Sequence, residues 1–212
     1  MEVKNKTMYH IQNTDKFKNI WQVGNIITIS DKFNSNLCEA VKKYSPAVYS
    51  DGDNDEVKRI SFDRIIDHYM DEDKFKTIDK ELALRMMNEA RCIIKNSNLS
   101  RREKIMEEYR LEHCPNIPSR YHSIWLADEK SLEFWLKELN KRDYFNLFKV
   151  EVTGNLFKSS DMFIPDDILT NDEMYEYTEK YWNPIFTEEI EEKRAEYLFQ
   201  GKVKILSKEK MK

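Results

Sequence analysis

The residue types that carry chemistry are sparse in this chain, and most of their arrangements exclude a known use. The four histidines, His10, His68, His113 and His122, show no HxxxH or HExxH spacing, the pattern that puts two metal ligands on one helical face. The acidic loop DGDNDE has the composition of a calcium loop but lacks a glutamate at position 12 in register with a glycine at position 6. Cys38, Cys92 and Cys114 are widely spaced, odd in number and outside any CxxC pair, so they read as reduced thiols serving as small hydrophobes. There is no GxGxxG or GxxxxGK to cradle phosphate and no GxSxG nucleophile elbow. What remains is a histidine, His10, on an early strand and a glutamate, Glu196, at the mouth of a late one.

The frame for these two residues is set by composition. A chain of 212 residues with 40% hydrophobic and 12% aromatic content buries a real core and is most economically one domain, residues 1–212. The formal charge of -4 is spread along the length, which excludes a general polyanion binder while leaving room for a local basic groove. No window approaches the roughly 20 apolar residues that span a bilayer, and MEVKNKTMYH is no signal sequence, so the expected location is cytoplasmic.

Along the chain, β-prone segments flank a helical block. Residues 7–10 and 24–29 read as an early two-strand unit, and Pro46 with SDGDND marks a loop. Residues 60–113 form the block: Phe62, Ile65, Ile66, Tyr69 and Met70 make one helical stripe behind a Ser61 N-cap. Leu82, Met86, Ala90 and Ile93 make a second. Ser100 with Glu103 is spaced as a capping box for a further helix, ended by Pro115 and Pro118. A strand is expected over 121–126, then a helix capped by Asp128 or Ser131 with Leu132, Trp135, Leu136 and Leu139 on one face. Trp125 and Trp135 are explained as core by alternation and helical spacing. FNLFKVEV alternates as a half-buried strand with its turn at Gly154, and LFKSSD supplies a further short strand or edge.

DEMYEYTEKYWNP reads as a helix ended by Pro184, whose Tyr177, Tyr181 and Trp182 are assigned to packing under the last strands in preference to facing a substrate. TEEIEEKRAEY is an acidic helix that enters EYLFQGKVKIL. In that strand Tyr197, Phe199, Val203 and Ile205 share one parity, with a bulge or close approach at Gly201.

The order of YH on an early strand, SRYHSIWL leading into LEFW, and a terminal E-x-L-x-x-G resembles the ADP-ribosyltransferase family of the His-Tyr-Glu type and its variants. The likeness extends to bacterial and phage-associated members with PSR before the central strand. It implies an α+β fold with a split antiparallel β core and the helical block set between the early strands and the central strand. It also implies NAD as substrate, with ADP-ribose passed to a macromolecular acceptor, protein or nucleic acid, in a toxin or phage-defence role. A neutralising antitoxin protein would then be a partner. Carried over, Glu196 is the catalytic carboxylate and His10 binds the ribose hydroxyls. Tyr9 and Trp21 line the pocket, and Ser123, Trp125 or Tyr121 stands for the middle motif. Arg120 either contacts the pyrophosphate or forms a structural ion pair. Water in place of the acceptor would make the protein an NAD glycohydrolase, and a silent site would leave a binding or regulatory module.

Overall fold

The computed structural model describes residues 1–12, 20–35, 37–38, 41, 62–76, 78–139, 145–164 and 169–211. It is a mixed α+β fold whose chain divides into two compact units, one of residues 1–39 and 104–212 and one of residues 40–103. Five antiparallel strands build the first unit: β1 (Glu2–Gln12), β2 (Ile26–Ile29), β3 (Ile124–Leu126), β4 (Phe145–Ser160) and β5 (Ala195–Met211).

β5 is the hub of the sheet. One edge pairs with β4 along its whole length, from Ser160 opposite Ala195 to Phe145 opposite Met211. The other edge is shared by two short strands, β3 opposite residues 197–199 and β2 opposite residues 201–204, so that edge is split at Gln200. β1 lies on β4, and Tyr9 also bridges to Ala127 just past β3 through two backbone hydrogen bonds of 2.9 and 2.8 Å. The pairings β1 with β4, β4 with β5, β5 with β3 and β3 back to β1 therefore close a ring. The two early strands do not pair with each other, as their closeness in sequence suggests; each finds a partner from the C-terminal half.

The period-2 pattern of β5 holds. Tyr197, Phe199, Val203 and Ile205 are all buried with Met8, Phe148, Val150 and Val152 in one core. The opposite face is also covered where β5 begins: Leu198 packs with Met106, Phe157, Tyr181 and Trp182 in a second cluster. β4 does not turn at Gly154 but runs on through it, absorbing the expected separate strand. Gly154 lies opposite Gly201, and both have positive φ. A Cβ at Gly201 would sit 2.5 Å from the Thr153 carbonyl oxygen and 2.8 Å from the Gly154 Cα, so the two backbones approach as closely as only glycine permits. Of the two expectations at Gly201 the close approach is found there, and the bulge lies instead at Leu206, where the register slips opposite Lys149 and Val150.

In the second unit, α1 (Phe62–Tyr69) and α2 (Glu72–Phe75) precede α3 (Lys80–His113), whose last ten residues belong to the first unit. The Ser61 cap, Pro46 and the DGDNDE loop lie outside the described residues. α3 is one helix of 34 residues, not two: neither Pro nor Gly interrupts it, and Glu103 turns to Arg102 instead of closing a box with Ser100. The remaining helices belong to the first unit. α4 (Glu129–Leu139) is capped by Asp128, which accepts from the Lys130 and Ser131 backbone N–H groups; α5 (Asn171–Trp182) opens on a Thr170–Glu173 capping box; and α6 (Glu189–Lys193) is the short acidic helix before β5. Among the described residues no helix is long and apolar enough to cross a membrane.

Candidate functional site

His10 sits near the end of β1, half-buried, its ring stacked on Trp21 with centroids 4.4 Å apart. Its Nδ1 lies 2.9 Å from the Trp125 carbonyl oxygen. A carbonyl only accepts, so Nδ1 carries the proton and donates. Burial lowers the pKa from 6.5 to about 4, against the raising effect of the Trp125 hydrogen bond. The imidazole is therefore neutral at neutral pH, and Nε2 is left as a hydrogen-bond acceptor.

His10, Trp21, Ser123 and Trp125 line a cavity of about 180 Å³. A second cavity of about 250 Å³ is lined by Tyr9, Trp125, Trp135 and Glu196. The two share Ile11, Trp125 and Leu139 as walls, and together they reach the few hundred Å³ that small-molecule sites occupy. In the first, the Ser123 hydroxyl is fully buried without a hydrogen-bond partner. A buried hydroxyl left unsatisfied costs about 1–3 kcal/mol, which a ligand able to donate or accept there would recover.

Glu196, 5% exposed, is held by two donors. Its Oε1 accepts from Arg120 Nη1 at 2.6 Å and from the Tyr181 hydroxyl. The same Nη1 donates to the Tyr181 oxygen at 2.6 Å. The guanidinium carbon lies 4.9 Å from the Tyr181 ring centroid and 5.6 Å from that of Trp125, close enough for cation–π attraction to both. Burial above all, with Glu196 adding to it against the pull of Arg120, pushes the Tyr181 phenol well above its ordinary pKa, so it remains a donor. Oε2 takes no hydrogen bond from any described residue.

The chain on either side of Glu196 is anchored as well. Trp135 Nε1 donates to the Ala195 carbonyl at 2.8 Å, and the Tyr197 hydroxyl donates to Asp128, the cap of α4, at 2.8 Å. Burial alone would raise the Asp128 pKa, but hydrogen bonds from Ser131 and Tyr197 hold the carboxyl below its usual range. The loop that delivers Arg120 is tied to the end of α3. Arg110 grips Glu107 with two nitrogens and donates to the Pro115 and Ile117 carbonyls, while Ser119 donates to Glu107. Ser35 donates to the Arg120 carbonyl from the segment after β2.

Of the residues singled out in the sequence, His10, Trp21, Ser123 and Trp125 meet at the first cavity and Tyr9, Trp125 and Glu196 at the second. Arg120 lines neither and forms an ion pair with Glu196. Tyr121 lines neither cavity and packs edge-on against His122. Two residues were missed. Tyr181 packs under β5, the reading preferred to its facing a substrate, yet its hydroxyl is also a partner of Glu196. Trp135 was explained by its helical spacing, which says nothing of an indole N–H reaching β5. The three cysteines are free, and no cluster of three metal-binding side chains exists among the described residues.

The sequence pattern of the family described as "Protein of unknown function (DUF2441)" matches residues 8–211, nearly the whole chain. The chain belongs to this family. No curated protein matches it. The DUF2441 description assigns no activity, so the chemistry has to be read from the cleft: a neutral imidazole and a carboxylate oxygen that accept, and a serine hydroxyl that can do either, set among indole rings.

Proposed function

We propose that this chain transfers ADP-ribose from NAD to a macromolecular acceptor, with release of nicotinamide. The observation that carries the reading is the convergence of His10 and Glu196, from opposite ends of the chain, on two cavities with common walls. The split edge of β5 is read as the split core of an ADP-ribosyltransferase-like fold. His10 Nε2 is suited to accept from a ribose hydroxyl, and the Trp21 and Trp125 rings offer faces for a planar base. Glu196 Oε2 is suited to accept from the 2′-hydroxyl of the nicotinamide ribose and to stabilise the positive charge that develops on the sugar as nicotinamide leaves. Ser123 is the middle-motif residue best placed to hydrogen-bond the ligand. The pyrophosphate role is not given to Arg120. The acceptor is protein or nucleic acid, and in a toxin or phage-defence setting a neutralising protein partner follows.

A second reading is a binding module without turnover, and one observation favours it. The Arg120 charge beside Glu196 makes the pair neutral as a whole, which weakens its support for a developing cation. Purified protein incubated with labelled NAD and separate protein, RNA and DNA fractions decides between them. The proposal expects label in one fraction, lost in Glu196→Gln. Free ADP-ribose with no labelled polymer would identify a glycohydrolase, tight NAD binding without turnover the module, and absence of NAD binding would overturn all three.

A further inference from the structure

We infer that Arg120 and Tyr181 are positioning residues that immobilise Glu196 through one carboxylate oxygen so that the other faces the cleft alone. The inference rests on the proposed NAD chemistry for its consequence in turnover, but its geometric core stands apart from it. Of the three other arginine–carboxylate contacts among the described residues, one, on α3, brings Arg102 Nε and Nη2 to the same Glu103 oxygen, and the other two spread over both carboxylate oxygens. Arg194 meets Asp161 fork to fork, Nε to Oδ1 and Nη2 to Oδ2, both at 2.8 Å. Arg110 meets Glu107 in the same way, at 3.0 and 2.7 Å. Each satisfies both oxygens, the arrangement that a guanidinium fork favours.

The Glu196 contact is different. Arg120 and Tyr181 both approach Oε1, and Oε2 has no donor among the described residues although the side chain is almost wholly buried and forms part of the cavity wall. The clamp itself is rigid. The guanidinium lies against the Tyr181 and Trp125 rings, Tyr181 is held by packing on Phe157 and Trp182, and its backbone carbonyl accepts from Ser159 at 2.7 Å. Neither Arg120 nor Tyr181 lines either cavity; they act through Glu196.

The decisive variant is Tyr181→Phe, which removes one oxygen and keeps the ring that packs on Phe157, Trp182 and Arg120. Full-length protein is compared with the variant by the ¹³C NMR chemical shift of the Glu196 carboxyl, assigned through Glu196→Gln, and by NAD turnover. Losing a hydrogen bond to the carboxylate displaces the Glu196 carboxyl resonance. Turnover at the optimum falls about tenfold while KM is unchanged. Arg120→Lys, which keeps the charge, retains more activity than Arg120→Gln. A Glu196 carboxyl resonance that Tyr181→Phe leaves unmoved overturns the inference. If the unsubstituted protein does not turn NAD over, the proposed function fails, and the NMR comparison still decides the clamp.

Discussion

The neutral histidine of the cleft makes the stability of the protein depend on pH in a window that one substitution isolates. His10 has a folded pKa of about 4 against 6.5 when unfolded, because the stacked Trp21 ring and the closing of β1 over Trp125 exclude water from the imidazole. Below 6.5 the unfolded chain binds a proton that the folded chain refuses. Stability is therefore fully present above pH 6.5 and falls with pH until about 4, where the folded protein also protonates. Integrating the difference gives a loss of about 2 kcal/mol between pH 7 and pH 5, and about 3 kcal/mol by pH 4. Urea unfolding of the unsubstituted protein and of His10→Gln at pH 7 and pH 5 measures it. Other groups titrate equally in both proteins, and any fixed effect of the substitution cancels in the comparison. The unsubstituted protein should lose about 2 kcal/mol more than the variant over that interval. Parallel losses in the two proteins would refute the reasoning, since they would mean that the imidazole protonates as readily folded as unfolded.

Two further outcomes follow from the same packing. Gly201→Ala forces a Cβ against the Thr153 carbonyl oxygen, the Gly154 Cα and the Phe199 ring at a backbone φ of +142°; a loss of about 3 kcal/mol in urea unfolding, at an unchanged m value, is expected. Arg120→Met leaves the Glu196 carboxylate buried without its cation and should destabilise by about 3–5 kcal/mol at neutral pH. Glu196→Gln in the same chain should restore most of that loss in thermal or urea melts.

What the sequence disclosed and what it withheld divide by range. The parity of Tyr197, Phe199, Val203 and Ile205 announces a buried face because period 2 is local, and α5 is legible from its own cap and length. Gly154 carries a local turn signal that is false. Its partner in the close approach, Gly201, lies across the sheet, and a glycine that permits two backbones to touch looks in sequence like a glycine that reverses one. Ser100 and Glu103 likewise have capping-box spacing, but an unbroken run of helix-compatible residues on both sides carries α3 through them. In the site, His10 and Glu196 were legible from order and context. Tyr181, 15 residues before Glu196, was not, because its pairing arises only when α5 packs on the start of β5. No periodicity distinguishes an aromatic ring that fills space from one whose hydroxyl also holds a carboxylate.

The Arg120–Glu196 contact is not accounted for by stability. Removing two charges from water costs several kcal/mol per ion, and replacing such a pair with apolar side chains of similar size is often neutral or stabilising by about 1–4 kcal/mol. Around it the chain already has apolar material for that purpose: Leu198, Phe157 and Trp182 pack beside Tyr181, and Trp125 lies against the guanidinium. At Asp161 and at Glu107 arginine reaches both carboxylate oxygens, at Glu103 both Arg102 nitrogens reach one, and at Glu196 donors from two different residues converge on one. What sets Glu196 apart is that its carboxylate also lines a cavity, where a fixed carboxylate can present its other oxygen in one direction. The Ser123 hydroxyl in the adjoining cavity is buried and has no hydrogen-bond partner. It and the Glu196 carboxylate stand on cavities that share the Trp125 wall, so a single small molecule spanning both could reach the two groups at once, which is what the proposed chemistry requires of them.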